Sequence, residues 1–161
     1  LRYYLAALAV LLLDQVTKWF VLQRMSLYES IPLWDDVFYI TSHRNRGAAF
    51  GILQNQQWLF IIVTLAVVVG IVVYLTKIRR EPPLMSWSLA LILGGAVGNL
   101  IDRVRLREVV DFLDFRLINY PIFNIADSAI VIGVGILMVM TLRQSGTDRE
   151  EGLSEEMRDD R

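Results

Sequence analysis

Residues 58–76 read WLFIIVTLAVVVGIVVYLT, from Trp58 to Thr76, without a charged side chain. At 1.5 Å per residue this run makes a helix of about 28 Å, close to the roughly 30 Å hydrocarbon thickness of a bilayer. Lipid offers the backbone no hydrogen-bond partners, so a span of this composition must bond internally as a helix. Three further stretches reach a similar length, at about residues 3–22, 84–101 and 122–142. The chain therefore reads as an α-helical integral membrane protein with four transmembrane helices. The stretch at residues 3–22 carries Asp14 and Lys18, and no small-x-small cleavage pattern precedes the polar segment Gln23 to Glu29. It is expected to be retained as a helix rather than removed as a secretory signal.

Composition agrees. Of the 161 residues 55% are hydrophobic, above the 45–50% or so usual in soluble domains. A net charge of −1 leaves no electrostatic footprint for nucleic acid, whose binding rests on clustered Lys and Arg. With no cysteine, disulfides, thiolate nucleophiles and Cys-based zinc sites are excluded. The single histidine, His43, cannot supply the His-rich ligand set of a catalytic zinc, so no metal and no cofactor are expected. A Ser/His/Asp triad would have to use His43, which reads as a surface residue in a polar loop beside Arg44.

Four spans place both termini on one side with the loop KIRREPP, Lys77 to Pro83. Arg2, Lys77, Arg79, Arg80 and Arg143 favour the cytoplasm for that side. The opposite connections hold Arg24, Arg44, Arg46, Arg103, Arg105, Arg107 and Arg116, so charge counting leaves the orientation open. The segment Met25 to Gln57 is too long for a turn and too polar to cross. Its VFYIT run, Val37 to Thr41, has strand propensity, and Tyr28, Trp34, Phe38 and Tyr39 suit the headgroup level. A small strand-containing extracytoplasmic platform is expected there. Residues 1–142 form one membrane-embedded domain. Residues 143–161, with four basic and seven acidic side chains and no apolar period, are expected to be a disordered tail.

Ionisable groups at membrane depth are costly, so each demands a reason. In DQVTK (Asp14 to Lys18) the acid and base are spaced for an i,i+4 pair, either a structural lock or a docking element. NRGAAFG (Asn45 to Gly51) is a turn, or a place where Gly47, Ala48, Ala49 and Gly51 let another backbone approach. GGAVGNLIDR (Gly94 to Arg103) joins a GxxxG packing face to Asn99, Asp102 and Arg103 on one helix face, with a structural Asp102–Arg103 pair as the bland alternative. In FNIADS (Phe123 to Ser128), Asn124 is a good N-cap and Asp127 sits in the first turn. The apolar run after Asp127 makes only about 22 Å of helix, so Asp127 must lie below the membrane surface.

With histidine and cysteine set aside, acid–base work falls to carboxylates: Asp127 with Asp102, Asp111 or Asp114. Two close aspartates cannot both ionise easily, so one keeps a proton while the other activates water, the arrangement that metal-free peptide hydrolysis uses. Spacing alone leaves the partner open. The competing class is a small transporter or helix-assembly scaffold; against it, the polar residues gather at one membrane face and the span 58–76 contributes nothing to a pore.

The ordered motifs DQVTK, NRGAAFG, GNLIDR, VVDFLDF (Val109 to Phe115) and FNIADS, on four spans, resemble those of the bacterial lipoprotein signal peptidases (signal peptidase II), over about residues 3–142. The resemblance implies an aspartic endopeptidase of the bacterial cytoplasmic (inner) membrane. It would cut prolipoproteins on the amino side of a diacylglyceryl-modified cysteine, as a monomer among membrane lipids, with cytoplasmic termini and a site near the outer leaflet. Motif by motif it implies Asp111 and Asp127 as the catalytic pair. Asn45, Gly47, Asn99, Arg103 and Asn124 would line the site, with Asp14, Lys18 and Asp102 supporting it and Met25 to Gln57 as platform and lid.

Overall fold

The computed structural model describes residues 1–47, 55–77, 83–118 and 120–159. In chain order its elements are α1 (Arg2–Arg24), β1 (Ser30–Trp34), β2 (Phe38–Asn45), α2 (Gln57–Lys77), α3 (Pro83–Leu106), β3 (Val109–Phe115) and α4 (Ile125–Asp159). Helices α1, α2, α3 and the Ile125–Arg143 part of α4 are long and apolar enough to cross a membrane. Helical backbone continues past Arg143 to Asp159, where the composition suggests an irregular tail. Ala48, Ala49 and Gly51 of NRGAAFG, and residues 78–82 of the KIRREPP loop, lie outside the described residues.

Helix α3 packs against α1, α2 and α4, because it carries the small residues. Lipid tails are as apolar as leucine, so membrane helices associate through close packing rather than by escaping water. A Cβ on Gly94 would come within 2.5 Å of the Ala7 carbonyl of α1, and one on Gly98 within 2.5 Å of Asp14 Oδ2. A Cβ on Gly95 would collide with the Ala126 carbonyl of α4. The GxxxG face thus seats α1, while Gly95 on the adjoining face seats α4. Helix α2 buries Ile71 against Ala90, Ile92 and Leu93 and leaves Ile62, Val63 and Val69 exposed, as a lipid-facing span should.

The sheet is antiparallel in the order β1-β2-β3. The expected platform is therefore present, with a third strand supplied by VVDFLDF from the far side of two spans. Between Ile40↔Leu113 and His43↔Asp111 the register shifts, so Thr41 and Ser42 together face Phe112 in a bulge. His43 lies in β2, partly buried and paired in register with Asp111, rather than in a surface loop. The free edge of β3 bonds to Phe123, whose carbonyl accepts the N–H groups of Phe112 and Leu113 at 2.9 and 2.8 Å. Val110 and Phe112 bury with Val21 of α1. The sheet is thereby fastened to the start of α4 and the end of α1.

Alanine at 95 is expected to lower the thermal unfolding midpoint in detergent, by an overpacking cost of about 1–3 kcal/mol. Alanine at Gly70, whose Cβ would meet nothing within 4 Å, should leave it unchanged or raise stability by up to about 1 kcal/mol.

Candidate active site

Lys18 is 2% exposed, and its ammonium has exactly as many close acceptors as it has protons. They are Asp14 Oδ2 and Asp102 Oδ2, both at 2.9 Å, and Asn99 Oδ1 at 2.8 Å. The remaining carboxylate capacity goes to backbone and to Gln15. Asp14 Oδ1 accepts the Ala126 N–H at 3.0 Å, and Asp102 Oδ2 accepts the Val110 N–H at 3.1 Å. Gln15 Nε2 bridges Asp102 Oδ1 at 3.0 Å and the Gly98 carbonyl at 3.2 Å. One cation on α1 thus ties together α3, β3 and the first turn of α4.

This network sets the orientation of two amides. Lys18 can only donate, so Asn99 turns its oxygen toward the ammonium and its Nδ2 toward Asp127 Oδ1 at 2.7 Å. Asn124 Nδ2 donates to Asp111 Oδ1 at 2.7 Å, to Asn99 Oδ1 at 3.2 Å and to the Val110 carbonyl at 3.3 Å. As N-cap of α4, Asn124 accepts the Asp127 N–H on its side-chain oxygen at 2.9 Å and donates its own N–H to Asp127 Oδ2 at 3.2 Å. This reciprocal pair is the geometry of a capping box, with aspartate in the place of glutamate. Asn124 therefore holds Asp111 and Asp127 at once.

Asp111 is 1% exposed. Burial, reinforced by the charge of Asp127, pushes its carboxyl up to about 7, against the opposing effects of the Asn45 and Asn124 amides and of Lys18. A cavity of about 210 Å³ opens beside the pair, lined by Asn45, Gly47, Asn99, Arg103, Asp111 and Asp127 together with Tyr120 and Pro121. Arg103 stands half-buried at its edge, its guanidinium 4.9 Å from the Phe60 ring centroid. Asn45, Gly47, Asn99, Arg103, Asp111 and Asp127 line this cavity, and Asp14, Lys18, Asp102 and Asn124 stand in the network behind it.

The other carboxylates have different partners. Asp114 accepts from the Thr41 hydroxyl at 2.6 Å and from Arg116 Nε at 2.9 Å, and Arg116 lies 3.7 Å over the Tyr39 ring. Asp114 is therefore committed to the sheet. Asp102 pairs with Lys18 rather than with its neighbour Arg103, because Arg103 extends toward the cavity. Sequence reading missed the contribution of Tyr120 and Pro121, whose loop carries no polar motif, and the linking role of Gln15, which was detectable as a polar residue at membrane depth. Across from Asp111, the His43 ring has its Nδ1 buried without a partner among the described residues. Burial and then Arg44 lower its pKa, so it is neutral near pH 7.

Helices α1, α3 and α4 with strand β3 hold two aspartates beside a small polar cavity, an arrangement suited to acid–base chemistry. Comparison with known proteins agrees. The family model described as signal peptidase (SPase) II matches residues 6–143. The lipoprotein signal peptidase of Brevibacillus brevis is 58% identical over 137 residues, covering 85% of this chain and 92% of its own length. That of Bacillus subtilis is 50% identical over 151 residues, covering 92% of this chain and 98% of its own. A solved structure described as a bacterial membrane enzyme superposes with a TM-score of 0.86 at 37% identity, over 91% of this chain and 90% of that one. The chain belongs to the signal peptidase II family, and with it to the membrane peptidases.

Replacing Lys18 by methionine strands two buried carboxylates and should destabilise the protein by about 3–5 kcal/mol, read as a lowered unfolding midpoint in detergent. Arg46→Gln breaks a solvent-exposed bridge to Glu108 and should cost less than about 1 kcal/mol.

Proposed function

We propose that Asp111 and Asp127 are the catalytic pair of a metal-free aspartic endopeptidase that removes signal peptides from diacylglyceryl-modified prolipoproteins, on the amino side of the lipidated cysteine. The observation that carries this reading is the single Asn124 side chain bonded to both aspartates, on a cavity no other described carboxylate lines. Asp111, the more deeply buried of the two, holds the shared proton, since burial disfavours the charged form. Asp127 takes a proton from water as the water oxygen attacks the scissile carbonyl carbon, while Asp111 protonates the carbonyl oxygen. The tetrahedral intermediate then collapses: the C–N bond breaks, the proton held by Asp127 passes to the departing amine, and one hydroxyl of the intermediate returns its proton to Asp111 as the new carbonyl forms. Asn45, Asn99 and Arg103 orient the peptide, and buried Gly47 lets its backbone come close. Asp14, Lys18 and Asp102 fix the amides behind the pair.

The site lies at the end of the bundle that carries the sheet, which we assign to the outer leaflet of a bacterial cytoplasmic membrane. Both termini are then cytoplasmic. One chain contains every group the mechanism uses, so a monomer among membrane lipids suffices. The segment Met25 to Gln57 serves as platform and lid.

Cleavage of a purified diacylglyceryl-modified prolipoprotein should be lost by at least a thousandfold in Asp111→Asn and in Asp127→Asn, on the scale of removing a general acid or base and its charge. Asp102→Asn should keep measurable turnover; equal loss there with activity retained in Asp111→Asn would reassign the pair. In the same assay kcat/KM should fall as pH rises through about 7, where Asp111 gives up its proton. Because the folded site binds that proton from the unfolded value of 3.8 up to about 7, stability should also decline with rising pH across this window. For the orientation, a membrane-impermeant thiol reagent applied to intact cells should label Asp36→Cys and spare Arg2→Cys; the reverse pattern would invert the assignment.

A further inference from the structure

A second polar cavity, of about 430 Å³, lies where α2 begins and α3 ends, lined by Gln57, Trp58, Ile61, Arg103, Val104 and Arg107 with Asn55. We propose that it binds the phosphate-bearing headgroup of an anionic phospholipid.

The charge of the groove is the first argument. Arg103 and Arg107 lie one helical turn apart, and neither forms a salt bridge among the described residues. The Asp127, Asp111 and Asp102 carboxylates act on Arg103 from the side of the aspartate cavity, which leaves Arg107 as the cation that faces no carboxylate of the groove. At the same end of the molecule Arg44, Arg46 and Arg116 form such bridges, while Arg24 and Arg105, which form none among the described residues, do not line this groove. Among the described residues no acidic side chain lines the groove, and the first turn of α2 contains none. The partial positive charge of that helix start adds to the two guanidinium groups. Arginines in a last turn also offset the dipole of α3, but that would not require an acid-free cavity beside them.

The backbone at Arg107 supplies a second argument. Its φ of 61° is left-handed, and its N–H closes the end of α3 on the Arg103 carbonyl at 3.2 Å. Glycine is the usual residue at such a cap. An arginine there is strained by its Cβ, and it places a guanidinium on the groove wall.

Gln57 then narrows the ligand. Its Nε2 donates to the Arg46 carbonyl at 3.0 Å, while its Oε1 is buried with no partner among the described residues. The unmet group is an acceptor closed off from solvent in this state; turned toward the groove, it calls for a donor such as a hydroxyl rather than for the phosphate itself. A phosphodiester carrying a hydroxylated headgroup satisfies both walls. Trp58, 78% exposed, and Val104, 62% exposed, sit at the ends of two spans, the depth at which tryptophan meets lipid headgroups. The ligand is therefore membrane-borne. Since Arg103 lines this groove and the aspartate cavity alike, an occupied headgroup site touches the catalytic cavity through one shared side chain.

The test uses the full-length protein in a neutral detergent, titrated with phosphatidylglycerol, phosphatidylmethanol, phosphatidylcholine or inorganic phosphate and followed by thermal unfolding. Phosphatidylglycerol should raise the midpoint saturably, with phosphatidylcholine and inorganic phosphate without effect. Arg107→Gln should weaken phosphatidylglycerol binding about tenfold, the loss of a charge-assisted contact. Gln57→Leu, which keeps both arginines, should erase the preference for phosphatidylglycerol over phosphatidylmethanol, which lacks the hydroxyls. An unchanged titration in both variants would place the lipid elsewhere and overturn the proposal, as would an equal response to phosphatidylcholine. An equal response to inorganic phosphate would make this a soluble-anion site and overturn the lipid assignment. None of these readouts depends on peptidase activity.

Discussion

The Lys18 ammonium divides its protons between the Asp14 and Asp102 carboxylates and the side-chain oxygen of Asn99, and the geometry of the site descends from that division. An amide is polar at both ends, and nothing in its own shape says which end faces which neighbour. A cation that can only donate decides it for Asn99, and Asn99 then presents N–H to Asp127. The same carboxylates that neutralise Lys18 accept backbone N–H groups from Ala126 and Val110. They thereby hold the two segments on which Asp127 and Asp111 ride.

Such a network is expensive. Taking charges out of water costs several kcal/mol per ion, and a well-packed apolar replacement is often as stable or more so. In a membrane protein the alternative partner for each buried group is lipid, which offers nothing, so the arrangement must be nearly complete to exist at all. Completeness is what the distances show: Lys18, Asp14, Asp102, Asn99 and Asn124 are each engaged on every element they touch. The cost is accepted where rigidity of two carboxylates matters more than total stability.

Packing and polarity cooperate in α3. Its glycines at 94, 95 and 98 bring α1 and α4 close enough for the polar side chains to meet. Gly98 does so most directly, since the space a Cβ would occupy is held by the Asp14 carboxylate. The GxxxG pattern, common in membrane helices and uninformative about function by itself, here sets the distance at which Lys18 can reach Asn99 and Asp102.

Much of this was legible in the residues. The four spans follow from length and apolarity, because a bilayer imposes both. The i,i+4 pair of Asp14 and Lys18 and the N-cap role of Asn124 follow from helix geometry, which is local. The strand at 37–41 could be read from propensity, but its partner VVDFLDF could not, since β pairing joins residues far apart in the chain. For the same reason spacing left Asp102, Asp111 and Asp114 as equal partners for Asp127. Only the tertiary structure sends Asp102 to Lys18, Asp114 to Arg116 and Thr41, and Asp111 to Asn124. The sequence determined which polar groups enter the membrane; which of them meet was decided by the close approach of α1, α3 and α4 and by the Phe123 bridge to β3, contacts that no local pattern encodes.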